Sequence, residues 1–256
     1  MQVEADALFN QSLAKGLQVL SAFTAGHRSM TLSEIAQRSG MSKSSAQRSV
    51  HTLQTLGYVG KDAATQRFCL QPKVVELGFR YLNTHPLIHA AHSNLAQLAR
   101  ESGETVTLTE PVGDQMLYLA QVLTTQHIPV LTPVGTLVPI YASSCGRAYL
   151  SQLPPTEWVP RLQAMERPSR TRHTITQVPD IVQRLHTCRD TGYATNSEEL
   201  FLGDMGIGAP VFNARGDVVG AVHIAPPVSR WRMADAQAQL APLVVECARA
   251  ISRLVV

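Results

Sequence analysis

Residues 31–68 read TLSEIAQRSGMSKSSAQRSVHTLQTLGYVGKDAATQRF, and this stretch decides the fold of the N-terminal part. Thr31-Leu32-Ser33-Glu34 is a capping box: the Thr31 hydroxyl can accept from the Glu34 backbone N–H while Glu34 reaches back. The helix it opens is short, because Gly40 supplies the left-handed residue that ends it. Ser42 caps a second, longer helix that runs to Leu56 and stops at Gly57. A short helix, a tight turn and a longer helix make a helix-turn-helix. Upstream, the spacing of Leu13, Leu17 and Leu20 predicts a further helix with Ser12 as its cap.

The longer helix has two unlike faces. Ala46, Val50 and Leu53 fall on one side and are expected to pack inward. Ser44, Arg48, His51 and Thr55 lie opposite, with Lys43, Ser45 and Gln47 flanking near the N-terminal end. These side chains hydrogen-bond base edges or phosphates, and they stand where a recognition helix enters the major groove. Downstream, GYVGKD and RFCLQP read as two short strands around KDAATQ, a hairpin with Lys61 and Arg67 on its flanks. A hairpin directly after a recognition helix is a winged helix. Between Arg28 and Lys73 there are seven basic residues and two acidic ones. Residues 1–80 hold nine Lys/Arg and five Asp/Glu, whereas residues 81–256 hold thirteen and fourteen. A basic first third joined to a near-neutral remainder implies that one part meets a polyanion and the other does not.

The run LSEIAQRSGMSKSSAQRSVHTLQTLGYV, followed by RFCLQPKVVELG, resembles the N-terminal domain of the IclR family of bacterial transcriptional regulators. The likeness continues in YASSCGRAYLSQLP and in GYATNSEELFLGDMGIGAPVFNARGDVVGAVHIAPP, so it covers nearly the whole chain. It implies an α+β protein with a winged helix over 1–73, a helical linker and dimerisation segment over 74–103, and a GAF-like effector-binding domain over 104–256. Such a regulator binds duplex DNA at a (pseudo)palindromic operator, as a dimer or a dimer of dimers, and responds to a small-molecule effector.

The residues outside the first domain agree with that division. KVVELGFRYLNTHPLIHAAHSNLAQLARESG is helical in pattern with one break at Pro86 and a stop at Gly103. Its apolar Leu82, Leu87, Leu95 and Leu98 are expected in a dimer contact. His85, His89 and His92 share a face, but a metal site needs a fourth group and supporting partners that the neighbouring sequence lacks, so no metal is expected. From Glu104 the period shifts: TVTLTEP, QMLYLAQVL, IPVLTP, GAPVFN and DVVGAVHIA are β-rich, NARGDVV reads as a hairpin turn, and helices fit 144–152, 178–191 and 231–253. Strands mixed with segregated helices imply an antiparallel central sheet.

By the resemblance, the loop at Ser143, Ser144 and Cys145 and the strands beside it enclose the effector. Relatives that bind small oxoacids carry an acid, a cysteine and two serines at the positions of Asn196, Gly206, His223 and Ala225, and this chain departs at all four. The departures imply open space at Gly206 and Ala225 and a larger, more apolar ligand with one acidic or hydroxyl group, lined by Tyr118 and Tyr141. Period-2 alternation puts His223 on the same side of its strand as Ala221 and Ala225, opposite Val222 and Ile224.

Composition sets the remaining bounds. Of 256 residues 45% are hydrophobic, and mean hydropathy is near zero, as for a globular protein. No stretch reaches the ~18 apolar residues of a membrane span, and residues 1–15 lack the pattern of a signal peptide. The four scattered cysteines form no C-x-x-C pair and fit a reducing cytoplasm. No G-x-S-x-G elbow, H-E-x-x-H or Walker loop is present, so neither enzyme activity nor a cofactor is expected. Two alternatives stand beside the regulator: a catalytic second domain using Ser143, Ser144 or Cys145, and a winged helix that binds a protein instead of DNA.

Overall fold

The protein is described by a computed structural model over residues 8–126 and 132–255. It divides into two compact units with the boundary between Thr84 and His85. The first begins with α1 (Gln11–Ser21). Its cap is Asn10, whose side chain accepts from the Leu13 N–H at 3.0 Å; the expected cap, Ser12, lies inside the helix. β1 (Ser29–Met30), α2 (Leu32–Arg38), α3 (Lys43–Thr55), β2 (Val59–Lys61), β3 (Phe68–Leu70) and α4 (Lys73–Thr84) follow.

The local signals form as the sequence dictates. Glu34 N–H donates to Thr31 Oγ1 at 3.3 Å and Thr31 N–H to Glu34 Oε2 at 2.6 Å, closing the capping box. Gly40, at φ +64°, adopts the left-handed conformation that turns the chain between α2 and α3. Ser42 caps α3 through the Ser45 N–H at 3.3 Å. Val19, Met30, Ile35, Val50, Leu53, Val59 and Phe68 make the core. On α1 the buried residue is Val19, while Leu13 and Leu17 are 63% and 54% exposed. The apolar side of α1 is thus wider than the strip that α3 covers. The wing gains a strand the sequence did not show: β1 pairs with β3, giving an antiparallel sheet of order β1-β3-β2. Two residues carry no alternation to read, and only pairing with Phe68 and Cys69 defines them.

The linker is not a body of its own. α4 goes with the first unit and has no buried residue, whereas α5 (Pro86–Ser102) goes with the second and buries Leu87, Ala91, Leu95 and Leu98. The expected dimer residues Leu87, Leu95 and Leu98 therefore serve the core of the second unit. His85 precedes Pro86 in an extended conformation, as a residue before proline prefers. Its Nε2 lies 2.9 Å from Glu110 Oε2, while His89 and His92 are exposed.

The second unit continues with β4 (Thr105–Val112), β5 (Gln115–Val122), β6 (Leu137–Pro139), α6 (Ser144–Gln152), α7 (Pro155–Ala164), α8 (Val178–Thr191), β7 (Ala194–Ser197), β8 (Met205–Phe212), β9 (Val218–Ala225) and α9 (Met233–Ser252). The six strands form one antiparallel sheet in the order β6-β5-β4-β9-β8-β7. α5 and α9 pack on one face, where Gly220 meets Leu87, and α6 packs on the other, where Gly208 meets Ser144. Of the expected strand IPVLTP, residues 128–131 lie outside the described residues. α7 was hidden by Pro154-Pro155, which reads as loop although Pro155 starts the helix. The NARGDVV turn forms as expected: Asn213 N–H donates to Asp217 O at 2.9 Å, with Gly216 at φ +84°.

Candidate nucleic-acid interface and ligand cavity

α3 presents its polar face in two halves. Gln47, His51 and Gln54 turn towards the wing and line a cleft with Lys61 and Gln66, floored by Val50 and Phe68. Arg48 and Thr52 turn the other way, onto a groove shared with α1. Lys43 and Ser44 are exposed in the first turn, where backbone N–H groups and the helix dipole favour an anion. Ser45 does not belong to this surface: it is buried, on the α1 side of the helix.

The two wing cations are placed differently. Lys61 is exposed, its ammonium 5.4 Å from the centroid of the Phe68 ring. The Arg67 guanidinium instead donates to Glu34 Oε2 and to Ser29 O, both at 2.9 Å. Arg67 therefore ties the wing to β1 and α2, and its charge is already matched. Lys73, just beyond the wing, donates to Leu56 O at 2.8 Å and closes the end of α3.

In the second unit Ser143 caps α6: its hydroxyl accepts from Gly146 N–H at 3.1 Å and donates to Pro139 O at 2.8 Å. Asn196 Oδ1 accepts from the Ser144 N–H at 3.3 Å, tying β7 to the same helix end. Around them is a cavity lined by Thr105 and Thr107 of β4, Tyr118 and Gln121 of β5, Thr132, Ser143, Ser144, Asn196, Leu200, Phe201, Asp204, Met205, Gly206, and His223 and Ala225 of β9. Register explains the grouping, since Thr107 and Gly208 flank His223, Thr105 faces Ala225, and Asn196 faces Gly206.

Four expectations change here. The cavity offers about 20 Å³, room for a water rather than a ring. The open space expected at Gly206 is filled, since a Cβ there would collide with Asn196 Oδ1 and Ser144 Oγ. Tyr141 lies in the core, its hydroxyl donating to Pro168 O at 2.5 Å. Cys145 also lies in the core, where burial pushes its thiol up. Neither Tyr141 nor Cys145 lines the cavity.

Tyr118, Ser143, Ser144, Asn196 and His223 do meet there. The Tyr118 and His223 rings stand edge to face, 5.3 Å between centroids. Burial pushes the His223 pKa down to about 4, so the imidazole is neutral at pH 7, and its Nε2 is buried without a hydrogen-bond partner. Burial also pushes Asp204 up to about 7 and raises the Tyr118 hydroxyl, the latter with help from Cys145 and Asp204.

Asp204 was missed in the sequence because GDMG reads as a turn. The connection that carries it, from Glu198 to Asp204, is held by Arg147 and Glu199, a second feature with no sequence signal. Their guanidinium and carboxylate pair twice at 2.6 Å, with the two side chains 1% and 5% exposed.

Comparison with known proteins assigns both units. Residues 12–63 match the model of the IclR helix-turn-helix domain, and residues 79–253 match that of the bacterial transcriptional regulator IclR C-terminal domain. The chain belongs to the IclR family. It is 31% identical to the Pca regulon regulatory protein of Pseudomonas putida, over 95% of this chain and 84% of that one. It is 32% identical to the glycerol operon regulatory protein of Streptomyces coelicolor, over 95% of each. Among solved structures, a transcriptional regulator from Rhodococcus sp. RHA1 superimposes with a TM-score of 0.84 at 32% identity, covering 96% of this chain and 98% of that one. The protein is thus an IclR-family DNA-binding transcriptional regulator that responds to an effector, with α3 and the first wing strand, β2, inside one matched region and the cavity inside the other.

Proposed function

We propose that this IclR-family protein binds a (pseudo)palindromic operator as a dimer, or a dimer of dimers, and that a small organic or aromatic acid in the cavity at Tyr118, Asn196 and His223 modulates that binding. The observation that carries the DNA reading is α3 itself, capped by Ser42, with Lys43, Ser44, Gln47, Arg48 and His51 exposed and Lys61 beside them on the wing. Base-edge contacts fall to Gln47 and His51, and phosphate contacts to Lys43, Lys61 and Arg48, which stands on the other side of α3. Arg67 contributes by fixing the wing.

The dimer reading moves from α5 to α1 and α4. Leu13, Leu17, Leu56 and Leu77 line an apolar groove of about 590 Å³ and are 49–63% exposed, and Phe79 on α4 is 62% exposed. An apolar surface of this kind, rimmed by polar residues, marks an interaction site. Two-fold symmetry of the protein would be mirrored in the operator.

The effector reading rests on polar groups that converge on a buried cavity. Any effector larger than water must displace part of the lining. The relatives named for a Pca regulon and a glycerol operon are consistent with control of a catabolic pathway. Such a regulator works in the cytoplasm without catalysis and without a cofactor. Ser143 is committed to capping α6 and Cys145 to the core, so neither is a poised nucleophile. Among the described residues no helix is long and apolar enough to cross a membrane.

The test is selection of binding sites from random duplex DNA by the full chain, followed by titration of organic acids into the complex. The reading expects an enriched two-fold motif whose affinity shifts with at least one acid. Sequence-independent binding, or none, would refute it.

A further inference from the structure

The cavity contains an acid that the helix-capping and sheet contacts do not use. Asp204 enters it from the turn before β8, where Gly203 at φ +85° reverses the chain. Among the described residues its carboxyl meets no cation and no Lys or Arg lines the cavity, and the neighbouring Met205 N–H donates to Pro226 O at 3.1 Å. Tyr118, whose hydroxyl feels the Asp204 charge, and His223 line the same cavity. The neutral His223 imidazole, 6% exposed, leaves Nε2 buried with no partner. The His223 Nε2 therefore lacks a donor or acceptor that a ligand would bring, and the half-buried Asp204 carboxyl lining the same cavity has no cation and no side-chain donor among the described residues.

A carboxylate aimed at Asp204 would set two acids against each other in a site without a counter-ion. A hydroxyl fits, because it donates to the carboxylate and still accepts or donates elsewhere. We propose that Asp204 is a specificity-determining residue of the cavity, and that the effector presents a hydroxyl group to it. The effector's own acid group then lies away from Asp204, towards the N-terminal end of α6. This rests on reading the cavity as the effector site. Burial raises the Asp204 pKa towards neutrality, as expected of an acid awaiting a donor.

The experiment titrates phenylacetate, mandelate and the three ring-hydroxylated phenylacetates into isotopically labelled full-length protein. The Gly206 amide and the His223 ring nitrogens report occupancy by NMR. At least one hydroxylated member is expected to bind about tenfold or more tighter than phenylacetate, the value of one hydrogen bond to a charged group. Asp204→Ala, with folding checked by thermal melting, is expected to erase that preference, and Asp204→Asn, which keeps one acceptor oxygen, to retain part of it. A second readout needs no variant: the Asp204 carboxyl carbon of the wild-type protein should shift with the hydroxylated ligand and not with phenylacetate. Equal affinity for phenylacetate and every hydroxylated form, or a preference that survives in Asp204→Ala, overturns the role of Asp204 and leaves the effector site standing. If no member of the series perturbs Gly206 or His223, the reading of the cavity as an effector site falls, and this proposal with it.

Discussion

Replacing Arg147 by methionine should show how the ligand cavity is held together. The guanidinium donates to Tyr141 O at 2.9 Å, to Thr195 O at 3.0 Å and to both oxygens of Glu199 at 2.6 Å. Without it, the Glu199 carboxylate keeps only the Ile175 N–H at 3.1 Å and stays buried as an uncompensated charge. Breaking such a pair from one side costs about 3–5 kcal/mol. Replacing both partners by apolar residues of similar volume removes the stranded charge. The double variant Arg147→Met/Glu199→Met should therefore lose less than the sum of the two single variants. Its remaining cost comes from the Tyr141 and Thr195 carbonyls left without a donor and the Ile175 N–H left without an acceptor, about 1–3 kcal/mol for each that stays buried and unpaired. The assay is urea unfolding followed by tryptophan fluorescence, which reports the second unit because Trp158 and Trp231 both lie in it. Additive single and double variants would refute the argument, since additivity means the charges do not depend on each other. Effector affinity should fall with stability in the single variant, because this pair fixes the connection that brings Leu200, Phe201 and Asp204 to the cavity.

Other outcomes follow from the same geometry. Arg48→Ala and Lys61→Ala should weaken DNA binding, and each that contacts phosphate should lower the salt slope by about 0.9, whereas Arg67→Ala should loosen the wing without changing the slope, because Glu34 already matches its charge. Salt-dependent binding to a duplex by anisotropy separates the two patterns. Gly206→Ala should cost about 1–3 kcal/mol by forcing Asn196 and Ser144 apart, read as a lower melting temperature. Leu17→Glu combined with Leu77→Glu should give a monomer in sedimentation at concentrations where the parent is a dimer. For pH, His223 at about 4 in the fold against about 6.5 unfolded is protonated first in the unfolded chain, so its contribution is complete above pH 6.5 and lost as pH falls towards 4. Asp204, raised from about 4 to about 7, acts oppositely and loses stability as pH rises through that window. Asp204→Asn should therefore uncover the histidine slope, about 1.4 kcal/mol per pH unit of destabilisation on acidification, measured by urea titration between pH 4 and 6.5.

The parts of this fold that were legible in the sequence are those fixed by near neighbours. The capping box at Thr31 and Glu34, the left-handed Gly40 and Gly103, and the Asn213–Asp217 turn each depend on residues within five positions, and each formed where the sequence placed it. The side of β9 that bears His223 was also legible, because strand alternation fixes it. What escaped depends on distant partners. β1 exists through pairing with β3, and Arg147 meets Glu199 across 52 residues. Cys145 and Tyr141 were misplaced for a related reason: they neighbour the cavity in sequence, but each sits at a helix start or loop whose rotation only packing decides. Gly206 shows the converse error, since a missing side chain reads as space while the neighbours have closed on it.

The central sheet ends on both sides in its shortest strands, β6 with three residues and β7 with four. Long, exposed edges offer a row of free N–H and C=O groups to any other chain, and are where sheets stack into aggregates. Here each rim is too brief to template much pairing, and on β6 Pro139 removes one donor altogether. Strand-to-strand growth is thus suppressed at both rims. An unwanted mode of self-association is thereby blunted in the architecture of the sheet itself.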